Sequence, residues 1–145
     1  LHATANGGHL ETFRMLMNKV NDINPGDNEG WTPLHVATSQ GHKELCKFIM
    51  DKVEDKNPVD IDGYTPLHAA ATEGQLEVFK MIANKVTDIN PRDNTNWTPL
   101  HGAAQYGHKE MCEFIADKVE DKNPECDNGW TPQELMWNKI CGIDV

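Results

Sequence analysis

The tetrapeptide Thr32-Pro33-Leu34-His35 returns as Thr65-Pro66-Leu67-His68 and again as Thr98-Pro99-Leu100-His101, each copy 33 residues after the last. A decayed copy stands at Thr131-Pro132-Gln133-Glu134, and Leu1-His2 is the tail of an earlier one. Pro25, Pro58, Pro91 and Pro124 keep the same step, as do Val20, Val53, Val86 and Val119. A period of this length restricts the chain to an array of small units, none of which can bury its apolar face without a neighbour. The 145 residues then make about four and a half units. An array has no single thick core, which fits an apolar fraction of 38% and a mean hydropathy of −0.63.

Within a unit, Thr32 is a good helix N-cap and Pro33 suits the first helical position, where no N–H is needed. Small residues follow (Ala37, Ala70, Ala71, Ala103, Ala104) and let this helix lie close to its neighbours. Gly8, Gly41, Gly74 and Gly107 are placed to end it in the left-handed conformation. A second helix is predicted from about His42 to Lys52, with Leu45, Phe48, Ile49 and Val53 as its buried stripe. The Asn-, Asp- and Pro-rich stretch after it reads as a turn or projecting hairpin.

Period 33, the TPLH tetrapeptide, the alanine pair and the following Gly-His resemble the ankyrin repeat, and the resemblance covers essentially the whole chain. It implies a mainly α fold, a solenoid of stacked helix–turn–helix units with projecting β-hairpin-like loops. The expected divisions are a partial repeat at 1–25, repeats at about 26–58, 59–91 and 92–124, and a shortened C-terminal capping repeat at 125–145. Leu1 stands where Leu34 stands, so further repeats or a cap are expected upstream. Two departures from the family pattern are uniform. Valine fills the column where Gly usually ends the second helix, which predicts a different helix ending, since a β-branched residue is costly at positive φ. Proline replaces the Ala that usually follows the hairpin Asn.

A longer period lies beneath the first. His42–Pro58 and His108–Pro124 are identical at 14 of 17 positions, while His9–Pro25 and Gln75–Pro91 share another spelling. Phe13 and Phe79 stand where Cys46 and Cys112 stand, and Met15 and Met81 where Phe48 and Phe114 stand. Large and small side chains are therefore expected to alternate along the second helices.

All seven histidines fall on repeat columns: His2, His35, His68 and His101 after Leu, His9, His42 and His108 after Gly. The first column is expected to hydrogen-bond between neighbouring turns, as in the family, and the second to start the second helix. No zinc spacing or HExxH motif occurs, and no metal or other cofactor is expected. Cys46 and Cys112 are two units apart, beyond disulfide reach. A Cys126–Cys141 pair is conceivable, but free thiols in a reducing compartment are the expectation, which points to a cytoplasmic or nuclear protein. Asn96 replaces the turn glycine of the other units and is expected at positive φ. There is no glycine-rich phosphate loop and no nucleophile beside a non-periodic base, so no enzyme activity and no catalytic residue are expected within the segment.

The resemblance implies a protein–protein interaction scaffold or adaptor. Its partner protein or peptide would meet the hairpin tips and the concave groove formed by the first helices. On this chain that surface comprises Glu29, Trp31 and Gln40, then Asp62, Tyr64 and Glu73, then Thr95, Trp97, Gln105 and Tyr106, then Asp127 and Trp130. The residue before Thr-Pro is aromatic in every unit: Trp31, Tyr64, Trp97 and Trp130. Such a ladder can bind a partner, since Trp and Tyr are enriched in binding hot spots, or brace one hairpin against the next. The formal charge is −10, and the same surface carries Asp27, Glu29, Asp60, Asp62, Glu73, Asp93 and Asp127 against Arg92. The lysines fall mostly on or just after the second helices. A partner with Arg or Lys is expected, nucleic acid and membrane insertion are not, and a monomer is. The alternative is that the segment is the recognition module of a larger channel, enzyme or effector whose active domain lies outside it.

Overall fold

The computed structural model describes residues 1–142. Helices α1 (His2–Asn6), α3 (Pro33–Ser39), α5 (Pro66–Thr72), α7 (Pro99–Tyr106) and α9 (Pro132–Cys141) are the first helices of successive units. The second helices are α2 (Leu10–Met17), α4 (Lys43–Met50), α6 (Leu76–Ala83) and α8 (Lys109–Lys118). Each first helix contacts the next in an unbroken row from α1 to α9, and each of the first four also packs on its own second helix. The described residues contain no strand. The connecting loops are tight turns, zipped to one another by single backbone bonds from Ile61 N to Glu29 O, Asn94 N to Asp62 O and Asp127 N to Thr95 O, at 2.8–3.0 Å.

The starts of α3, α5 and α9 are over-determined. Thr32 Oγ1 accepts from His35 N, while His35 Nδ1 accepts from Thr32 N, a reciprocal capping box in which histidine takes the usual glutamate place. The Thr65–His68 pair repeats this, and Thr131–Glu134 builds the same box with a carboxylate. The decayed fourth tetrapeptide therefore still starts a helix in the ordinary way. The next orphan N–H, on Leu34, Leu67, Leu100 and Gln133, donates to the side-chain oxygen of Asn24, Asn57, Asn90 and Asn123. Proline at the first position has no N–H to satisfy, so three successive positions at the starts of α3, α5 and α9 are accounted for.

Helix ends follow the sequence. Gly41, Gly74 and Gly107 lie at φ between 70° and 77°, as expected of a left-handed terminus. The valine column does not: among the described residues Asn96 is the one non-glycine at positive φ (59°), and Val119 caps α8 in an extended conformation. Asn96 thus takes the expected place of a turn glycine. α4 is shorter than predicted, ending at Met50 rather than near Lys52, whereas α8 runs to Lys118, the equivalent position two units on.

The core lies between the two helix rows, with Leu34, Leu67, Leu100, Ala37, Ala70 and Ala103 on one side and Leu45, Ile49, Val78, Ile82, Met111 and Ile115 on the other. Leu45 and Ile49 are fully buried as expected. Phe48 and Val53 are only half-buried, because Cys46 and Met50 take the inner positions. The alternation of side-chain size has a specific use. Phe13 meets Phe48 edge-to-face at 6.3 Å, and Phe79 meets Phe114 at 6.1 Å, so a buried ring in one unit is clamped by a half-buried ring in the next. Arg14 and Lys52 lie over Phe48, and Lys80 and Lys118 over Phe114, covering the outer rings with cations.

Cys46 is fully buried beside Thr38, and burial pushes its thiol up to about 11, as it does that of Cys112. Both stay protonated at neutral pH. Cys126 is also a free thiol, while the side chain of Cys141 lies outside the described residues, and with it the Cys126–Cys141 pair. A Cys46→Phe substitution forces a ring into the fully buried site beside Thr38. It is expected to lower stability by about 1–3 kcal/mol through overpacking, read from urea unfolding midpoints.

Candidate partner-binding face

The first three hairpin tips are built by one aspartate each. Asp27 Oδ1 accepts from Glu29 N and Trp31 N, Asp60 Oδ1 from Asp62 N and Tyr64 N, and Asp93 Oδ1 from Thr95 N and Trp97 N, all at 2.8–2.9 Å. A short carboxylate two residues before the turn centre substitutes for a backbone acceptor, and Gly30, Gly63 and Asn96 supply the positive φ that closes the turn. These aspartates count in the sequence as charge, yet they hold the loop that presents the aromatic residue.

The first two members of the aromatic column stack. Trp31 lies parallel to Tyr64 at 6.2 Å between ring centres and 11° between planes. Trp31, Tyr64 and Trp97 each also stack on the capping histidine of their own unit, at 4.9–5.5 Å. Trp31 Nε1 donates to Asp60 Oδ2 across the tip-to-tip gap at 3.0 Å. These contacts show Trp31 bracing the first hairpin against the second. Trp31, Tyr64 and Trp97 are half-buried and Trp130 is exposed, so ring surface still faces outward.

The capping histidines tie unit to unit. His2, His35, His68 and His101 direct Nε2 at the carbonyl of the aromatic residue in the following unit, at 2.8–3.2 Å. His42 and His108 direct Nε2 at Asn6 O and Thr72 O of the preceding unit, and Gln75 spans to Ser39 O in the same column. Burial lowers the pKa of His35, of His68 to about 4, and of His101. Among the described residues no three His, Cys, Asp or Glu side chains converge on a metal-sized site.

The twelve residues expected to meet a partner divide by position. Trp31, Asp62, Tyr64 and Thr95 share one open cleft of about 440 Å3 with Asp60, Asp93 and Asn94. Glu29 is exposed on the first tip, Gln40 and Glu73 at the ends of α3 and α5, and Tyr106 at the end of α7 beside a half-buried Gln105. Asp127 accepts from Asn96 Nδ2 at 2.7 Å, and with Trp130 it lies on the last tip, outside the cleft.

Charge is segregated across the molecule. The tips and first helices α1 to α7 carry Asp27, Glu29, Asp60, Asp62, Glu73, Asp93, Glu125 and Asp127 against Arg92 alone. Arg92 is itself engaged, bonding Glu125 O at 3.0 Å and facing Asp121 at 3.7 Å. The second helices and their exits carry eleven basic and thirteen acidic residues. The lysines are on that side as expected, but carboxylates match them, so the back is close to neutral rather than basic.

A family model for ankyrin repeats, in three copies, matches residues 1–93 and 85–137. The chain belongs to the ankyrin-repeat family, whose members are generally protein–protein interaction modules and typically not catalytic. A search of curated proteins returns no match. Among the described residues no helix is long and apolar enough to cross a membrane.

Proposed function

We propose that the chain is an interaction scaffold or adaptor that holds a basic segment of a partner protein along its hairpin tips and first helices. The observation that carries this reading is the concentration of eight carboxylates on the face that also displays the aromatic ladder, opposed by one arginine already in use. Such a face attracts cations over a Debye length of roughly 8 Å at physiological salt and offers ring faces on which they can settle. Bracing and binding are compatible in the same rings, because a ring fixed by its neighbours loses little freedom when a ligand covers it.

The test is quantitative binding to partners recovered by affinity capture. Affinity is expected to fall steeply with added salt. The Trp31→Ala, Trp97→Ala double variant is expected to weaken it at least about tenfold, the loss of one or two aromatic hot spots. Affinities indifferent to both salt and these substitutions would contradict the proposal.

A further inference from the structure

The second rung of the ladder differs from the first in its hydrogen bonding across the gap. At the Trp31 rung the indole crosses to the next tip and donates to Asp60 Oδ2. The corresponding pair one unit on is Tyr64 and Asp93. A tyrosine ring carries no donor at the indole N–H position, and the Tyr64 hydroxyl points elsewhere, donating to Thr72 Oγ1 at 3.0 Å. Asp93 Oδ1 is occupied by Thr95 N, Thr95 Oγ1 and Trp97 N. Its Oδ2 therefore lacks the donor that Asp60 receives, and it lies in the same cleft as the rings of Trp31 and Tyr64 and the exposed carboxylate of Asp62. In the third gap Cys126 replaces the aspartate, so no such acceptor recurs there.

We propose that this rung receives an arginine side chain of the partner. This rests on the reading of the face as a binder of basic segments and names the point where specificity arises. The guanidinium lies beyond the edge of the Tyr64 ring, where an indole N–H would otherwise sit, against the larger Trp31 ring, and donates to Asp93 Oδ2, with Asp62 supplying further countercharge. Arginine suits the place better than lysine, because its planar fork can stack on a ring and hydrogen-bond in the same plane, whereas an ammonium is a hydrated point charge.

The probes are acetyl-Gly-Arg-Gly-amide and acetyl-Gly-Lys-Gly-amide, titrated into the 15N-labelled protein while the amides of Tyr64 and Asp93 and the Trp31 indole N–H are followed. The arginine peptide is expected to shift these signals saturably, at a concentration at least about fivefold below that of the lysine peptide. Asp93→Asn keeps the Oδ1 acceptor that holds the turn and removes the charge. It should weaken the arginine peptide by about tenfold or more with the melting temperature little changed. Tyr64→Trp restores the indole of the first rung and should block the receptor while the protein stays folded. Equal affinities for the two peptides, or wild-type affinity for the arginine peptide in either variant, would overturn the proposal. The broader reading fails separately: partner binding would then ignore salt and the Trp31 and Trp97 substitutions. A failure confined to the receptor leaves those effects in place.

Discussion

Truncating Phe79 to alanine is expected to lower stability by about 3–5 kcal/mol, the range for a large aromatic side chain removed from a core. Phe79 has no exposed surface and fills the space between α5 and α6, where alanine would leave a ring-sized void. It also meets Phe114 edge-to-face, and such pairs add about 0.5–1.5 kcal/mol beyond the area they bury. A total stability of roughly 5–15 kcal/mol is ordinary for a domain, so this single change removes a large part of it. Urea unfolding of Phe79→Ala, Phe79→Leu and Phe114→Ala separates the two contributions. Phe79→Leu should retain most of the burial and lose the ring pair. Phe114→Ala, truncating a half-buried residue, should lose less than Phe79→Ala, and equal losses would show that the clamp, not the cavity, dominates.

Acidification is the second large effect, and its sign follows from the hydrogen bonds. His68 Nδ1 accepts from Thr65 N and Nε2 faces the Trp97 carbonyl, so the folded unit requires the neutral ring with its proton on Nε2. A second proton on Nδ1 would confront the Thr65 N–H. Burial is the main cause that brings the folded pKa to about 4, with the Trp97 carbonyl, Asp93 and Asp60 opposing it. The ring therefore takes up a proton more readily in the unfolded chain, where its pKa is near 6.5. Its contribution is intact above pH 6.5 and lost as the pH falls toward 4, amounting to about 3 kcal/mol over that interval. His35 and His101 shift in the same direction for the same first reason. Unfolding free energies measured between pH 7 and 4 should fall with pH, and a His68→Gln variant, less stable at pH 7, should show a shallower slope. An identical slope would assign the acid sensitivity to other groups.

Much of the fold was legible because the period repeats each local signal. Threonine, proline and glycine mark helix limits by backbone chemistry that acts within a few residues, and the structure follows them closely. The valine column and Asn96 could be read for the same reason, since φ preference belongs to the residue itself. Two features needed geometry. The Thr131–Glu134 capping box is written in the sequence as Thr-x-x-Glu, but against the TPLH column it reads as decay. The aspartates of the tips read as negative charge, although the recurrent spacing of Asp27 to Trp31, Asp60 to Tyr64 and Asp93 to Trp97 is the signature of a side chain closing its own turn. The bracing role of Trp31 depends on contacts 29 and 33 residues apart, which a column of aromatics suggests and cannot establish.

The paired phenylalanines have a consequence for how such an array can change length. Phe13 finds its ring partner in the next unit and so does Phe79, but each pair is closed, and the intervening interface between α4 and α6 carries no such clamp among the described residues. Removing one unit would set Phe13 beside the column that holds Met81, and inserting one would strand a ring in the same way. Removing or adding two restores every pairing. Side-chain shape in the core therefore favours a change of length by two units over a change by one, a parity set by the ring pairs alone.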